Sequence, residues 1–573
     1  MKKTVLSIFL LAISLVAFAQ LTPFERSKSK NVTASYQEVI AYYKNLDQKY
    51  EQMKMLACGP TDIGKPLHLV VLSKNKTFDP VQLRKQSKRI LLINNGIHPG
   101  EPEGIDASMM LARDLLQKNL LPDDVVICII PVYNIDGSLN RGVSRVNQNG
   151  PESYGFRGNA KNLDLNRDFI KTDSKNSYSF QEIFNSWQPD IFLDNHTSNG
   201  ADYQYVMTFI ETQRDKLNPV LSKFMTETLE PALYAAMKAS GFEMTPYVEH
   251  IAETPDSGIT AFLESPRFAT GFAALHNTIG FIGETHMLKP FDKRVYATYH
   301  LMQNLITIMG ENASPLASAK GQADEQVKNL KKFALNWEMD TANFDTIFFK
   351  GYEAKHKVSE VSGLPRLYYD RNLPFEKPIR LYNTYKPTLI VEKPIAYVVP
   401  QAWQKVIDLL KLNRVVMKRL SADTLMDAEM YYISDYKTSQ RPYEGHYLHS
   451  EIKVRTQNQK VRFYKGDYLV YTNQTQNRYI VETLEPQGVD SFFAWNFFDS
   501  VLGQKEYYSA YVFEDEASKL LANNPQLKQQ LNEAKNKNPE LAKSASAQLN
   551  WVYQNSAYYE KTHLRYPVGR LLK

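Results

Sequence analysis

Through about residue 310, short apolar runs of four to six residues alternate with longer stretches in which apolar positions recur every three or four. The first such stretch, "TASYQEVIAYYKNLDQKYEQ", places Val39, Ile40, Tyr43, Leu46 and Tyr50 on one helical face, with Thr33 or Ser35 available as the cap. "KPLHLVVLSK" then reads as a strand. Further strands are predicted at "RILLINNG", "DVVICIIPVYN", "PDIFLDNH" and "TIGFIGETH", and helices at "PEGIDASMMLARDLLQK", "YSFQEIFNSW", "PVLSKFMTETLEPALYAAMKASG" and "DKRVYATYHLMQNLITIMG". Strands this uniformly apolar have both faces covered, so the pattern predicts an α/β fold: a mostly parallel or mixed sheet sandwiched by helices.

Near "ENASPLASAKGQADEQ", residues 311–326, the composition turns small and polar. Residues 313–326 therefore read as a linker between a catalytic domain over 20–312 and an accessory α+β domain over 327–573. In the latter, "KPIAYVVPQAWQKVIDLLKLNRVVMKRL" suggests one strand–helix–strand unit. "GHYLHSEIKVRTQNQKVRFYKGDYLVYTNQTQNRYIVETLEP" alternates like antiparallel strands joined by Gly, Asn and Gln turns, and a helical tail closes the chain.

Composition narrows the class. Of 573 residues, 43% are hydrophobic and 12% aromatic, which suffices for more than one buried core and excludes a disordered chain. The start, "MKKTVLSIFLLAISLVAFAQ", has two lysines, an apolar stretch and the small-x-small site Ala17-Phe18-Ala19. Residues 1–19 are expected to be a signal peptide and the mature protein to be exported, to a periplasm or the extracellular space. No later run is long enough to span a membrane. Sixty-eight basic against 62 acidic residues make a mixed surface, so no nucleic-acid partner is expected. With Cys58 and Cys128 alone there is no disulfide framework; one bridge and two buried thiols both fit.

The chemistry collects where strands end. "LLINNGIH" delivers His98, "DIFLDNH" delivers His196 and "GFIGE" delivers Glu284, and in open sheets ligands bind beyond the carboxyl ends of the strands. Pro99-Gly100 bends the chain so that His98 and Glu101 can address one centre. Two histidines and a carboxylate with an open fourth position describe a catalytic site for one Zn2+, and Glu284 is the candidate base. "FRGNAKNLDLNRDF", residues 156–169, gathers Arg157, Asp164, Asn166 and Arg167, a set suited to gripping a carboxylate. Taken singly, a strand-end histidine also serves as a cap, and a loop with arginines as solvated surface.

In order, His98-x-x-Glu101, "PVYNIDG" at 131–137, "RGNAKNLDLNRDF", His196 and Glu284 in "GETH" resemble the zinc metallocarboxypeptidase family of carboxypeptidases A, D and E, over about residues 33–310. The "R-x-N-A-x-x-x-D-L-N-R-D-F" run is most similar to the D/E branch. The resemblance implies a zinc carboxypeptidase-like fold, with His98, Glu101 and His196 as metal ligands and Asp164 as the partner of a ligand histidine. It implies that Arg157 faces the oxyanion, that Asn166 and Arg167 bind the free C-terminus of a peptide substrate, and that Glu284 is the general base.

The chain departs from the family at a mobile-loop tyrosine, since Tyr247 is far from Glu284 in sequence. Arg267 falls where the side-chain pocket is expected, either facing acidic C-terminal residues or anchoring a loop. His286 either supports Glu284 or is structural. The expectation is a secreted zinc metallocarboxypeptidase; a zinc amide hydrolase acting on acyl-amino acids or cell-wall peptides, and a catalytically weak peptide-binding homologue, are the other readings.

Overall fold

Four of the apolar runs pair in parallel to form the centre of an eight-stranded mixed sheet in the computed structural model, which describes residues 21–248 and 254–573. The expected signal peptide, 1–19, lies outside the described residues. Across the sheet the order is Met53–Pro60, Pro66–Leu72, Val125–Ile130, Arg89–Asn95, Ile191–Ser198, Ile279–His286, Met207–Glu211 and Met244–Pro246. The third to sixth of these run parallel, and antiparallel neighbours flank them on both sides.

Every residue of Arg89–Asn95, Val125–Ile130 and Ile191–Ser198 is buried, as in parallel strands covered on both faces. One face, carrying Leu91, Ile93, Ile127 and Leu193, packs in a core with residues of helices Tyr36–Lys49, Glu103–Gln117 and Phe291–Glu311. Ser35 caps the first of these in a reciprocal arrangement with Glu38, while Thr33 turns to the Asp106 carboxylate. The other face, carrying Leu92, Cys128 and Phe192, is covered by helices Lys175–Trp187 and Ala269–Leu275 and by residues from beyond position 327. Cys58 and Cys128 are free thiols.

Residues 313–326 are not an open linker. They lie in the helix Ala313–Asn329, which buries Leu316, Ala319, Ala323 and Val327. The small residues that suggest a loosely structured connection instead let the helix lie close to its neighbours.

The C-terminal region is α+β. Its main sheet has six strands, in the order Lys418–Arg419, Tyr468–Tyr471, Ala396–Val399, Gly569–Leu571, Thr424–Thr438 and His449–Phe463, all antiparallel. The strand–helix–strand unit is present as Ala396–Val399, Gln404–Leu412 and Lys418–Arg419, and the tail from Ala510 to Gln554 is helical. "NRYIVETL", read as strand, is the helix Asn477–Leu484, buried along nearly its whole length. A long hairpin, Asp345–Val358 with Pro365–Tyr382, reaches back and pairs Leu381 and Tyr382 with Ile259 and Thr260.

Candidate active site

The sheet brings together what the sequence separates. His196 and Glu284 sit opposite each other in register on adjacent parallel strands, and His98 follows the carboxyl end of the next strand over. A turn closed by the Glu101 N–H donating to the His98 carbonyl, at 2.8 Å, swings Glu101 back towards the same point. One ligand atom from each of His98, Glu101 and His196 lies within 4.8 Å of the other two, and all three residues are buried. Glu284 is the one residue of its strand not fully buried.

Carboxylates orient both rings. Nε2 of His98 lies 2.9 Å from Asp164 Oδ1, and Nε2 of His196 lies 3.0 Å from Asp194 Oδ2. With the proton held at Nε2, the Nδ1 lone pairs face Glu101, at 3.3 Å for His98 and 3.1 Å for His196. Nδ1 of His98 is buried with no hydrogen-bond partner among the described residues. An orphaned imidazole lone pair, a second imidazole and a carboxylate in one buried spot fit a divalent metal of zinc type.

Titration follows from the same contacts. Burial opposes the charge on Glu101, but Arg145 and then His98 outweigh it and hold the carboxyl well below its ordinary value. Burial likewise opposes charge on His196, while Asp194 raises its pKa well above normal. Burial pushes Glu284 up to about 8; His196 pulls against that rise and Glu101 reinforces it. The Glu284 Oε2 atom is buried without a hydrogen bond among the described residues, leaving a carboxyl able to take a proton from something placed beside it.

The polar loop lies alongside. Arg157 grips Asp164 Oδ2 through Nε at 3.0 Å and Nη2 at 2.9 Å, with Nη1 3.5 Å from Glu101 Oε1, and is half exposed. The Asn166 side-chain oxygen accepts from the Ala269 N–H at 3.3 Å. Arg167 donates to the Asn166 carbonyl at 2.8 Å and lies 4.3 Å over the Phe268 ring. Asn134, from the "PVYNIDG" stretch, supports the loop by donating to the Arg157 carbonyl at 2.9 Å. A cleft of about 490 Å3 opens beside His98, between Arg145, Arg157, Phe156, Asn199 and Met287.

Two residues of the site had escaped sequence reasoning. Asp194 stands two positions before His196 on the same strand, so both point to one face, and that spacing is the signal that finds it. Arg145 donates to Glu101 Oε1 at 2.5 Å and to the Thr197 carbonyl at 3.0 Å from a loop with no recognisable motif.

Other candidates fall away. Arg267 is a loop anchor: Nε lies 2.7 Å from Asp490 Oδ1, the backbone N–H donates to the same carboxylate, and the guanidinium packs on Trp495. His286 is structural, with Nε2 3.0 Å from the Ala201 carbonyl and Nδ1 accepting from the Leu288 N–H; burial lowers its pKa to about 4. Tyr247 packs against Phe262.

Residues 39–240 match the zinc carboxypeptidase family, Peptidase_M14. This segment is a zinc carboxypeptidase domain. It holds His98, Glu101, His196 and the whole arginine-rich loop, and Glu284 follows on the next strand of the sheet. Carboxypeptidase 2 of Trichophyton rubrum is 22% identical over 417 residues, covering 70% of this chain and 72% of the relative. Carboxypeptidase 2 of Trichophyton tonsurans is 20% identical over 451 residues, covering 75% and 77%. Among solved structures, a metallo-carboxypeptidase from Pseudomonas aeruginosa in complex with (2-guanidinoethylmercapto)succinic acid has a TM-score of 0.37 and 18% identity, covering 50% of this chain and 70% of its own. Carboxypeptidase A from Helicoverpa armigera has a TM-score of 0.36 and 16% identity, covering 54% and 81%. The carboxypeptidase domain thus carries a His-Glu-His triad able to hold a metal ion, within a metallocarboxypeptidase hydrolase.

Proposed function

We propose that this protein is an exported, zinc-dependent carboxypeptidase that hydrolyses the last peptide bond of peptides with a free C-terminus. The observation that carries the reading is the register of two neighbouring strands, which sets Glu284, its Oε2 without a partner among the described residues, directly across from His196. His98, Glu101 and His196 would hold one zinc ion, which when bound supplies a Lewis acid and lowers the pKa of water toward neutrality. Glu284 takes the proton from the attacking water and passes it to the leaving amine. Arg157, charged and half exposed beside Glu101, meets the carbonyl oxygen as it becomes negative. Arg167, its plane set by Phe268, pairs with the substrate carboxylate, and the Asn166 amide adds a donor to the same group.

Export rests on the composition of residues 1–19. The test uses purified, zinc-loaded protein and short peptides offered with free and amidated C-termini, read by mass. Loss of single terminal residues from the free forms alone is the expected outcome, with Glu284→Gln slower by about 10³-fold. Equal attack on amidated forms would overturn the carboxylate-reading role of Asn166 and Arg167. Turnover of acyl-amino acids without turnover of peptides would assign the protein as a small-molecule amide hydrolase instead.

A further inference from the structure

The strands Thr424–Thr438 and His449–Phe463 of the C-terminal region meet at a tip that touches the carboxypeptidase domain. There Tyr443 and His446 exchange both backbone hydrogen bonds, at 2.7 and 3.0 Å, around Glu444 and Gly445. The two central residues have φ of 49° and 83°. A two-residue turn with both central residues left-handed suits Asn-Gly or Gly-Gly, and a glutamate in its first position holds a backbone conformation that glycine adopts more easily.

The strained residue has a task. Its Oε2 accepts the backbone N–H of Asp164 at 2.7 Å. Asp164 in turn holds Nε2 of His98, binds Arg157 and accepts the Asn166 N–H at 2.9 Å. The same tip is fastened on either side of Glu444: His446 Nε2 lies 2.7 Å from Asp173, and Tyr443 stacks on Trp495 beside Arg267. Arg267 immediately precedes Phe268 and Ala269, which brace Arg167 and Asn166. The tip therefore meets both the segment that carries Asn166 and Arg167 and the one that braces them.

We propose that Glu444 is a positioning residue of the active site, contributed by the C-terminal region, which fixes the Asp164 peptide and through it the orientation of His98, Arg157 and the Asn166-Arg167 pair. The proposal rests on the reading of those residues given under Proposed function. A residue retained at a strained position for what its side chain holds, and not for the turn it makes, has a distinctive signature: removing the side chain relieves the backbone while damaging the site.

The test compares full-length, zinc-loaded Glu444→Gly and Glu444→Gln with the unaltered protein in kcat and KM on free-carboxylate peptides, in Tm, and in amide exchange of the segment around Asp164. The glycine variant is expected to keep or raise Tm, to lose at least tenfold in kcat/KM, and to exchange the Asp164 amide faster. The glutamine variant retains an acceptor oxygen and is expected to stay within threefold in kcat/KM with normal exchange. Unaltered kinetics in Glu444→Gly, or an activity loss that only tracks a fall in Tm, overturns the proposal. Absence of peptide cleavage by the unaltered protein overturns the functional reading; the exchange comparison then still judges Glu444, since unchanged protection in the glycine variant refutes the positioning role and selective loss of protection supports it.

Discussion

A histidine can offer a metal only the nitrogen that carries no proton, so the group hydrogen-bonded to its other nitrogen decides whether it is a ligand at all. Asp164 and Asp194 do this for His98 and His196. Asp164→Asn and Asp194→Asn are each expected to lower metal affinity about 10–100-fold, measured by competition with a chromophoric chelator. Glu284 gives a second residue-scale prediction, made for protein stripped of metal by a chelator. Its folded pKa of about 8 lies above the ordinary 4.5, so between those values the unfolded chain has already lost the proton that the folded chain keeps. Stability is therefore full below about pH 4.5 and falls as pH rises through 8. Glu284→Gln removes that loss, so the metal-free variant should be the more stable protein above pH 8, by about 1–2 kcal/mol once partial exposure of the side chain is allowed for. Urea titrations at pH 5 and pH 9 check it; equal stability differences at the two values would refute the assignment. His98, His196 and Glu284 were legible because each follows or closes an apolar run, and Glu101 because it stands three residues after His98 across Pro99-Gly100. Asp194 was legible only through strand alternation. Arg145 was not legible, because nothing in a long polar loop says which of its arginines turns inward.

At the scale of elements, the approach of helix to sheet depends on Gly104. A Cβ there would come within 2.4 Å of Asn95 Oδ1 and 2.6 Å of Asn195 Cβ, on the two strands whose ends lead to His98 and His196. Asn195 also donates to Asn95 at 2.8 Å, so neither side chain can retreat without breaking that bond. Gly104→Ala should cost about 1–3 kcal/mol of stability by urea denaturation, and should weaken metal binding because the strand that shifts carries His196. Wild-type stability in the variant would mean that the helix can move away freely. The central strands and their covering helices were readable because both faces are buried and period alone separates the two classes. The outer strands Met53–Pro60 and Met244–Pro246, and Met207–Glu211 next to the latter, lacked that signal, being short or half exposed. Ala313–Asn329 and Asn477–Leu484 misled for opposite reasons: the first is too small and polar to look like a packed helix, and the second so buried that its period was masked.

At the scale of the molecule, the two regions that composition separates share one core. Residues from Leu92 and Phe192 of the central sheet to Val399, Leu410 and Trp495 of the C-terminal region belong to a single buried cluster. A polar bridge crosses it: Asn413 donates to Gln181 at 2.9 Å and accepts from Asn185 at 3.3 Å, tying the end of helix Gln404–Leu412 to helix Lys175–Trp187. Ring contacts continue the link, from Phe184 through His276 to Tyr479. Removing residues 313–573 would bare this face of the sheet, so the shortened chain is expected to aggregate instead of folding. The intact protein should unfold in one transition. A metal bound at His98, Glu101 and His196 stabilises whatever unfolds together with them, by about 4 kcal/mol when its concentration is a thousand times the dissociation constant. Zinc should therefore raise the midpoint for the C-terminal strands as much as for the sheet that holds the ligands, as followed by amide exchange along a thermal or urea series. A C-terminal region whose exchange is indifferent to zinc would be a separately folding unit, and Glu444 would then be reaching the Asp164 loop from a body free to move away.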